Sequence, residues 1–385
     1  MKLSFRMSIL LPVIAAVLVS FIATGLIVYS TFFSEIDTLA SQNAWNISYR
    51  YGNTVHEEFE NAVQMATLVG NAAESFSGRA GGLSRAEVIN YLKLLQADRR
   101  VLAVWIVWDE DLFDKNNAAN IGAEGSTSTG QFAPMVYNEG EAVRIGTRDF
   151  ASDDGYTEPK KSGRVYISDP SDDRFGNVTA RTITVSKTFN INGRVAGVVG
   201  VELGMAGITE LVRSIKVYDT GYATLIAQNM TNLVHPEDAQ LNKRSSAADV
   251  LQPYAEKREP AAVTRISAAT GLSTLSFFVP TYIPEADYTF YFGTNVAEEE
   301  VYAALPKTRN IITIVALLAV ALVVVVIVLI VRRLMKQLGG EPQYVIEKVN
   351  HIADGDFTTE LNVKPDDTAS LVFHIQAMVQ ELRNI

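Results

Sequence analysis

Two long runs of apolar positions divide the chain. The first covers residues 8–33, and the second covers residues 311–331, which contain no charged side chain. A helix rises about 1.5 Å per residue, so about 20 apolar residues cross a hydrocarbon layer of roughly 30 Å. The pattern predicts transmembrane helices at residues 8–33 and 310–332, with residues 1–7 on one side of the membrane and residues 34–306 on the other.

Basic residues beside both runs predict the orientation. These residues are Lys2, Arg6, Arg332, Arg333 and Lys336. Because Lys and Arg favour the cytoplasmic side, the large middle segment is expected outside the cytoplasm. Lys307 and Arg309, which lie at the end of the middle segment, reduce the difference in positive charge between the two sides. A cleaved signal peptide is the alternative for the first run. Its apolar stretch is longer than a signal core and lacks a small-x-small cleavage site. We therefore expect a multi-pass protein of the inner membrane with its middle segment in the periplasm.

A helical pattern follows the first run. Apolar residues recur at spacings of three and four from Ile47 to Phe76, which predicts one buried face of a long helix at residues 34–82. The glycine-rich residues 77–82 are expected to end it. Ser84 and Glu87 then have the spacing of a capping box, which predicts the start of a second helix.

Short strands and helices fill the rest of the middle segment. Runs rich in β-branched and aromatic residues predict strands at residues 101–109, 164–168, 180–189, 194–203, 221–227, 262–267, 272–280 and 288–294. Helices are predicted at residues 206–215 and 296–305. An Asn192-Gly193 pair predicts a tight hairpin between the third and fourth strands. Without regular strand–helix alternation, the pattern indicates an α+β fold, with modules at residues 83–216 and 217–306.

The tail, residues 333–385, carries two short amphipathic helices. Their apolar stripes are Val345, Ile346, Val349 and Ile352 in the first helix and Leu371, Ile375, Met378 and Leu382 in the second. These spacings are typical of a coiled coil. Because short helices with an apolar stripe are unstable alone in water, we expect them to pair with the same helices of a second chain, which predicts a homodimer.

Composition excludes several classes of function. The formal net charge of −10 argues against nucleic acid as a partner. The chain has no cysteine, so thiol catalysis and cysteine-ligated zinc are excluded. Its four histidines are scattered, and no HExxH, GxSxG or GxxxxGK[ST] motif occurs. We therefore expect a binding protein with no catalytic residues, no metal site and no cofactor, rather than an enzyme.

The tail resembles a HAMP linker, which forms a parallel four-helix bundle in a homodimer. The resemblance rests on the Gly-Gly-Glu-Pro sequence that starts at Gly339 and on the turn around Gly355, Asp356 and Phe357. The Gly-Gly-Glu-Pro variant is common in bacterial chemoreceptors. The family usually shows Asp-Glu-x-Gly before the second helix, whereas this chain departs from that pattern from Asp366 onward.

The middle segment resembles a double Cache sensor domain of bacterial methyl-accepting chemotaxis receptors. The matching stretches are residues 104–109, 130–132, 156–160, 166–170, 193–202, 221–226 and 235–236. The resemblance implies two PAS-like α/β modules beside a long helix, with a small ligand bound in the membrane-distal module. It identifies the chain as the N-terminal part of such a receptor: sensor, transmembrane helix and HAMP linker.

Departures from the family pattern predict the ligand class. Amino-acid-binding members carry Arg-x-Trp-Tyr to hold a carboxylate. This chain keeps Tyr156 but has Gly155 for the tryptophan and Asp153 for the arginine, while Glu202 replaces the usual aspartate. Carboxylates and aromatic faces suit an ammonium group, so an amine or amino-acid-like ligand is expected. The candidate ligand-binding residues are Trp105, Trp108, Asp153, Tyr156, Tyr166, Asp169 and Glu202.

Three functions remain open. The first is a chemoreceptor that passes binding through the membrane helices to the HAMP linker. The second is the sensor part of a histidine kinase or of a diguanylate cyclase or phosphodiesterase, and the third is a membrane-tethered binding protein without output. Because the sequence ends at Ile385, where an output module is expected to join, a chemotaxis kinase and adaptor are expected as partners only if such a module follows.

Overall fold

The computed structural model describes residues 5–76, 82–96, 101–147 and 150–383, and the side chains from residue 11 onward within these ranges. The chain forms two compact units. One unit is Thr38–Val301, and the other comprises the chain before and after it.

Helix α1, Phe5–Phe76, is the longest element. In its second half, Val55, Phe59, Ala66 and Val69 are fully buried. They recur at the spacing of one helix face, so this face was correctly predicted. The predicted end of the helix, at residues 77–82, lies almost entirely outside the described residues.

The first module follows α1. Its elements are α2 Arg85–Leu95, β1 Val101–Trp108, β2 Pro134–Glu139, β3 Ala142–Thr147, α3 Asp154–Ser162, β4 Tyr166–Ile167, β5 Ser171–Phe175, β6 Val178–Ile191, β7 Arg194–Gly204 and α4 Met205–Ser214. The strands form a seven-stranded sheet in the order β3-β2-β1-β7-β6-β4, and β5 pairs with β6. All these pairings are antiparallel.

The second module repeats this plan on a smaller scale. Its elements are β8 Lys216–Val217, β9 Gly221–Ile226, β10 Asn232–Val234, α5 Ala248–Ala255, β11 Ala261–Ile266, β12 Ser273–Ile283, β13 Tyr288–Ala297 and α6 Glu298–Val301. The six-stranded sheet has the order β10-β9-β13-β12-β11, with β8 beside β9. In both modules the first long strand pairs with the last one, as β1 with β7 and β9 with β13.

Helix α1 packs against both sheets. In the second module the rings of Phe59 and Phe290 lie 4.0 Å apart between centroids. In the first module a Cβ atom at Gly70 would lie 3.5 Å from the side chain of Val199. Ser48 adds a buried polar contact, because its hydroxyl lies 2.7 Å from that of Thr294 on β13. One helix face therefore supplies part of the core of each module.

The α+β class predicted from the sequence is confirmed by these two antiparallel sheets beside helices. The capping box is also confirmed: Oε2 of Glu87 accepts from the backbone N–H of Ser84 at 2.7 Å, and Oγ of Ser84 accepts from the N–H of Glu87 at 3.3 Å. The hairpin between β6 and β7 turns at Asn192 and Gly193, with φ of 50° and 76°. Such positive φ values are those that an Asn-Gly turn requires.

Several boundaries differ from the prediction. The helix expected at residues 296–305 starts later, because β13 continues through Val296 and Ala297, which pair with β12. The strand expected at residues 164–168 is reduced to β4. Strands β2, β3 and β5 and helix α3 were not predicted. Helix α3 is polar and contains Pro159, so it lacks the apolar periodicity that reveals a helix in a sequence.

The other unit contains the apolar runs. Leu11–Phe76 and Glu298–Ala353 each contain a stretch long and apolar enough to cross a membrane, and almost none of either stretch is buried inside the protein. Helix α7, Ala304–Leu338, carries the second stretch. Just before it, the ring of Tyr302 stacks on Phe33 with 5.1 Å between centroids, and its hydroxyl donates to Oδ1 of Asp37 at 2.5 Å.

The tail forms helices α8, Pro342–Ala353, and α9, Leu371–Arg383. They share a small apolar cluster of Val345, Ile352, Leu361, Val372, Ile375 and Val379. Of the stripe predicted for α9, Ile375 is buried within the chain, whereas Leu371, Met378 and Leu382 are exposed, so the predicted pairing of this stripe with a second chain stays a prediction. The contacts within the chain use Val372 and Val379 instead. A second apolar face of α9 therefore remains exposed.

Replacing Phe59 with alanine tests the contact between α1 and the second module. Phe59 is fully buried against Phe290, so we expect Phe59→Ala to lower the free energy of unfolding by about 3–5 kcal/mol. Urea unfolding of the full chain in detergent, followed by tryptophan fluorescence, measures this loss. Leu68→Ala on the same helix is the control, because Leu68 is 54% exposed. Equal losses in the two variants would contradict the packing described.

Candidate ligand-binding site

Three neighbouring strands of the first module place candidate residues side by side. On β1 and β7, Trp105 lies opposite Gly200, and Ala103 lies opposite Glu202. On the other side of β7, Thr184 of β6 lies opposite Glu202. Residues that are opposite one another in a sheet point to the same face. Trp105, Thr184 and Glu202 therefore share one face.

The carboxyl group of Glu202 lies inside the module. The residue has no exposed surface. Nε1 of Trp105 donates to Oε1 of Glu202 at 2.8 Å, and Oγ1 of Thr184 donates to Oε2 at 2.8 Å. A buried carboxyl group is costly unless donors satisfy it, so these two donors hold it in place. The result is a hydrogen-bond acceptor at a defined position beside an aromatic ring.

Gly200 makes room for the indole ring of Trp105. A Cβ atom at Gly200 would lie 2.1 Å from Cζ2 of Trp105, a separation that real contacts do not show. Any side chain at this position would displace the ring that donates to Glu202. A glycine within a strand often marks such a close approach.

Helix α3 covers the same face. Oδ1 of Asp153 accepts from the N–H of Gly155 at 2.9 Å and so caps the start of the helix. The carbonyl of Gly155 accepts from Oγ of Ser186 on β6 at 2.6 Å. Tyr156 is half-buried and packs against the apolar cluster that contains Trp105. Tertiary structure thus brings Asp153 and Tyr156 over the strands that carry Glu202.

A charged group lies at the end of β1, next to Tyr156. The hydroxyl of Tyr156 donates to Oδ1 of Asp109, and Nζ of Lys160 donates to both carboxylate oxygens of Asp109 at 2.7 Å. The Lys160 ammonium also lies 4.6 Å from the centroid of the Tyr156 ring. Burial by itself lowers the pKa of Lys160, but its bonds to Asp109 and Tyr156 outweigh burial and leave the pKa raised.

Asp109 and Lys160 were not among the residues predicted for the site. The sequence contains part of the information needed to predict these two residues, because Asp109 directly follows a buried strand and Lys160 lies one helical turn after Tyr156. Their contact, however, joins residues that are 51 positions apart. Burial and the hydrogen bond to Asp109 raise the pKa of Tyr156, so its hydroxyl stays protonated at neutral pH.

Tyr166 and Asp169 lie at the border of the two modules. Tyr166 pairs with Ser186, so it points to the face that helix α3 covers. Burial, with nearby negative charges including Asp154, raises the pKa of Tyr166 to about 12. Asp169 is exposed, and its oxygens accept from Nδ2 of Asn229 in the second module at 3.0 and 2.9 Å. Asp169 thus connects the modules.

Trp108 lies on the opposite face of the sheet from Trp105. Its ring packs among Phe113, Phe132 and Phe189, at centroid distances of 4.7, 5.2 and 5.5 Å. No described residue accepts a hydrogen bond from its buried Nε1. The two tryptophans are three positions apart, and the alternation of a strand sends their side chains to opposite faces.

The side chains gathered near helix α3 have the chemistry to bind a small ligand. Trp105 and Glu202 lie on the sheet face that α3 covers, Tyr156 of α3 packs against the cluster containing Trp105, Asp153 caps α3, and Tyr166 points to the same face. They provide acidic oxygens, hydroxyls and ring faces, which suit a small cation. Among the described residues, no group of three or more His, Cys, Asp or Glu side chains is placed to hold a metal ion.

Comparisons with known proteins support a sensor. Residues 91–210 match the family model described as "Methyl-accepting chemotaxis protein-like, first PDC sensor domain". The chain is 27% identical over 188 residues to methyl-accepting chemotaxis protein PctB of Pseudomonas aeruginosa, an alignment that covers 48% of this chain and 28% of that protein. The match therefore spans little more than a quarter of the relative.

Solved structures show the same fold. The periplasmic sensory domain of the Campylobacter jejuni chemoreceptor Tlp1 has a TM-score of 0.58 at 14% identity, covering 69% of this chain and 98% of that domain. The extracellular domain mmHK1S-Z3, assigned to a histidine kinase, has a TM-score of 0.61 at 19% identity. The match covers 70% of this chain and 98% of that domain. The predicted resemblance to chemotaxis receptors is confirmed: residues 91–210 match the model of a sensor domain found in chemotaxis-receptor-like proteins.

Two tryptophan variants test the Glu202 contact. Trp105→Phe removes the donor to a buried carboxyl group, so we expect it to lower the free energy of unfolding by about 1.5–3 kcal/mol more than Trp108→Phe does. Trp108→Phe is the matched control, because the indole N–H that it removes has no acceptor among the described residues. Urea unfolding of the full chain, followed by circular dichroism, measures both losses. Equal losses would contradict a stabilising Trp105–Glu202 bond.

Proposed function

We propose that this chain is the sensing and signal-transmitting part of a chemotaxis receptor, and that its first module binds a small cationic ligand, an amine or amino-acid-like molecule. The observation that carries the ligand class is the buried carboxyl group of Glu202 between Trp105 and Thr184. The family model supports the sensor role. Helix α3, with Tyr156, covers the site.

An ammonium group fits this chemistry. It donates three hydrogen bonds and accepts none, so it can replace the Thr184 hydroxyl or the Trp105 indole as a donor to Glu202. A charge-assisted hydrogen bond contributes roughly 1.5–3 kcal/mol, and a cation over a ring adds about 0.5–2 kcal/mol. Two charge-assisted hydrogen bonds and one cation–ring contact together approach roughly 8 kcal/mol, the binding free energy that corresponds to micromolar affinity. The cost of ordering the ligand and the side chains is not yet subtracted from this sum.

The Asp109–Lys160 pair sets a second condition on the ligand. Nζ of Lys160 is within 2.7 Å of both oxygens of Asp109, so the two charges largely neutralise each other. A ligand carboxylate that approaches Lys160 must compete with Asp109. We therefore favour a ligand whose binding depends mainly on its ammonium group.

We further propose that the chain crosses the inner membrane twice. Two apolar stretches of sufficient length support this arrangement. The basic residues that follow the second stretch favour a cytoplasmic tail and a periplasmic sensor. The lipid bilayer would then cover the apolar side chains of helices α1 and α7 that no other part of the protein buries.

The tail fits a HAMP linker in a homodimer. Ile346 on α8 and Leu371, Met378 and Leu382 on α9 are between 40% and 59% exposed, although they are large and apolar. The same helices of a second chain can cover this face in a four-helix bundle. A protein that is only a membrane-tethered binder has no need of such a face.

Binding transmits a signal only if the ligand prefers one of two arrangements of the dimer. The chain offers a direct connection, because β13 of the second module continues through α6 into α7. Ser48 ties α1 to Thr294 on the same strand. A shift of about 1–2 Å of one packed helix past another is an established switching motion, and we propose that this motion reaches the tail.

A histidine kinase or a cyclic-dinucleotide enzyme remains the second candidate for the whole protein. The specific observation is that the same fold occurs in the extracellular domain assigned to a histidine kinase. A sensor of this fold can therefore stand before different outputs. The Gly-Gly-Glu-Pro sequence from Gly339 and the family model favour chemotaxis.

Calorimetry of the full chain in nanodiscs tests the ligand class. We expect saturable binding of at least one of ethanolamine, putrescine and L-alanine. In Glu202→Gln, which removes the negative charge, the affinity is expected to fall about tenfold or more, as one charge-assisted hydrogen bond is lost. Asp172→Asn, the same chemical change at an exposed position, is the control. Tight binding of succinate with no response to the amines would rule out the proposal.

Cysteine cross-linking tests the signalling path. The chain has no native cysteine, and Ala304 is exposed at the start of α7. We expect the disulfide between two Ala304→Cys chains to form at a different rate once the binding amine is added. In the Glu202→Gln background the amine should leave the rate unchanged. Identical rates with and without the amine in the Ala304→Cys protein would contradict transmission through α7.

A further inference from the structure

The second module contains a cavity of its own, with a volume of about 250 Å³. Its polar lining consists of Gln228, Gln252, Glu256, Arg258, Thr289 and Tyr291. Met230 and Ala255 supply apolar surface. This volume is slightly below that of pockets for drug-sized ligands, so the cavity admits a small molecule, and a mostly polar lining favours a polar one.

The cavity lies on the side of the sheet that faces away from α1. Phe290 on β13 packs against Phe59 of α1, so the adjacent residues Thr289 and Tyr291 point to the other face. On that face Tyr291 belongs to the apolar cluster under helix α5, together with Leu251. The first module has the same layout, with Glu202 and Tyr156 on the face covered by α3.

The cavity of the second module and the charged group of the first module also lie at matching positions along their strands. In the first module, the Asp109–Tyr156–Lys160 group lies where β1 ends. In the second, the cavity includes Gln228, which follows the end of β9 by two residues. Strands β1 and β9 occupy corresponding places in their sheets. The cavity therefore occupies the position in the second module that the charged group occupies in the first.

The charges around Arg258 favour an anion. Nη2 of Arg258 donates to Oδ1 of Asp287 at 2.6 Å, while Nη1 of Arg164 donates to Oδ2 of the same carboxylate at 3.0 Å. Two guanidinium groups thus share one carboxylate, so these three groups together carry one net positive charge. The hydrogen bond from Tyr282, with the adjacent guanidinium groups, lowers the pKa of Asp287, so this carboxylate is ionised at neutral pH.

The guanidinium of Arg258 is held in a fixed plane. Its Cζ lies 3.7 Å from the centroid of the Tyr282 ring, and the Tyr282 hydroxyl donates to Asp287 at 3.0 Å. Among the described residues, the guanidinium of Arg258 donates only to Asp287, so its other guanidinium N–H groups can serve a ligand. A planar guanidinium with several donors is well suited to a carboxylate.

The amides of the cavity complete the polar lining. Oε1 of Gln228 accepts from the backbone N–H of Thr289 at 2.9 Å, so its amide N–H groups are left as donors. The Tyr291 hydroxyl donates to the carbonyl of Ala255 at 3.3 Å. Glu256 is the acidic side chain of the lining, and it can accept from an ammonium group if the ligand carries one.

We propose that this cavity is a second ligand-binding site, and that it takes a small molecule carrying a carboxylate, which Arg258 binds. The site goes beyond the proposed cation site of the first module and does not depend on it. Its ligand contacts Thr289 and Tyr291 on β13, the strand that continues through α6 into α7. A ligand here acts directly on the last strand before the second apolar helix.

Calorimetry of the full chain in nanodiscs tests the site with three probes. L-lactate and glycine each carry one carboxylate, glycine adds an ammonium group, and lactamide is the neutral counterpart of lactate. We expect saturable binding of lactate or glycine and none of lactamide. Saturable binding of glycine without lactate supports this cavity only if Arg258→Gln removes it, because an amino acid also fits the cation site proposed for the first module. The proposal is overturned if neither carboxylate binds saturably or if lactamide binds as well as lactate.

Variants assign the binding to this cavity. Arg258→Gln is expected to weaken the binding about tenfold or more, because a charge-assisted contact is lost. Lys257→Gln removes the same charge from the adjacent exposed position and should leave the affinity unchanged. Binding that survives Arg258→Gln, or that is lost only in Glu202→Gln, overturns the proposal.

A second variant covers the case in which Arg258→Gln does not fold. Gln252 is exposed on α5 and lines the cavity, so Gln252→Leu should preserve the fold while removing an amide donor and narrowing the opening. We expect it to weaken binding of the carboxylate probe with an unchanged thermal midpoint in the absence of probe. Unchanged affinity in a folded Gln252→Leu protein would count against the cavity.

Discussion

The burial of one face of α1 against both sheets is the contact on which the sensor unit depends. Phe59 meets Phe290 in the second module, and Gly70 lies close to Val199 in the first. Each fully buried large apolar side chain contributes about 1.5–3 kcal/mol, and the buried face of the helix runs along both modules. Since the helix covers one side of each sheet, only the opposite side remains for ligands. Both proposed sites lie on that side, under α3 and α5.

Strand alternation then decides the chemistry of each face. On β1, Trp108 points toward an aromatic cluster, while Trp105 points toward Glu202. On β13, Phe290 contacts α1, while Tyr291 lines the cavity of the second module. The same strands thus carry the core on one face and the polar groups on the other. A shift of one residue in register would exchange the two.

The two modules share a strand order but differ in the charge that they present. The first places Glu202 beside a ring, with Lys160 held by Asp109. The second presents Arg258, which shares Asp287 with Arg164 of the first module. A sensor with one site for a cation and one for an anion can respond to two kinds of small molecule. The Arg164–Asp287 contact and the Asp169–Asn229 contact join the modules, so that a change in either one can affect the other.

Local sequence patterns determined much of the architecture. The apolar runs, the face of α1, the capping box at Ser84 and the Asn-Gly hairpin are periodic or short-range features, and these can be predicted from the sequence because they depend on neighbouring residues alone. Only the tertiary structure decided that Trp105 reaches Glu202 across 97 positions, that Lys160 pairs with Asp109 and that Asp169 binds Asn229. It also extended β13 to Ala297. These outcomes depend on strand register and on how distant elements pack, and neither leaves a signal in the spacing of residues along the chain.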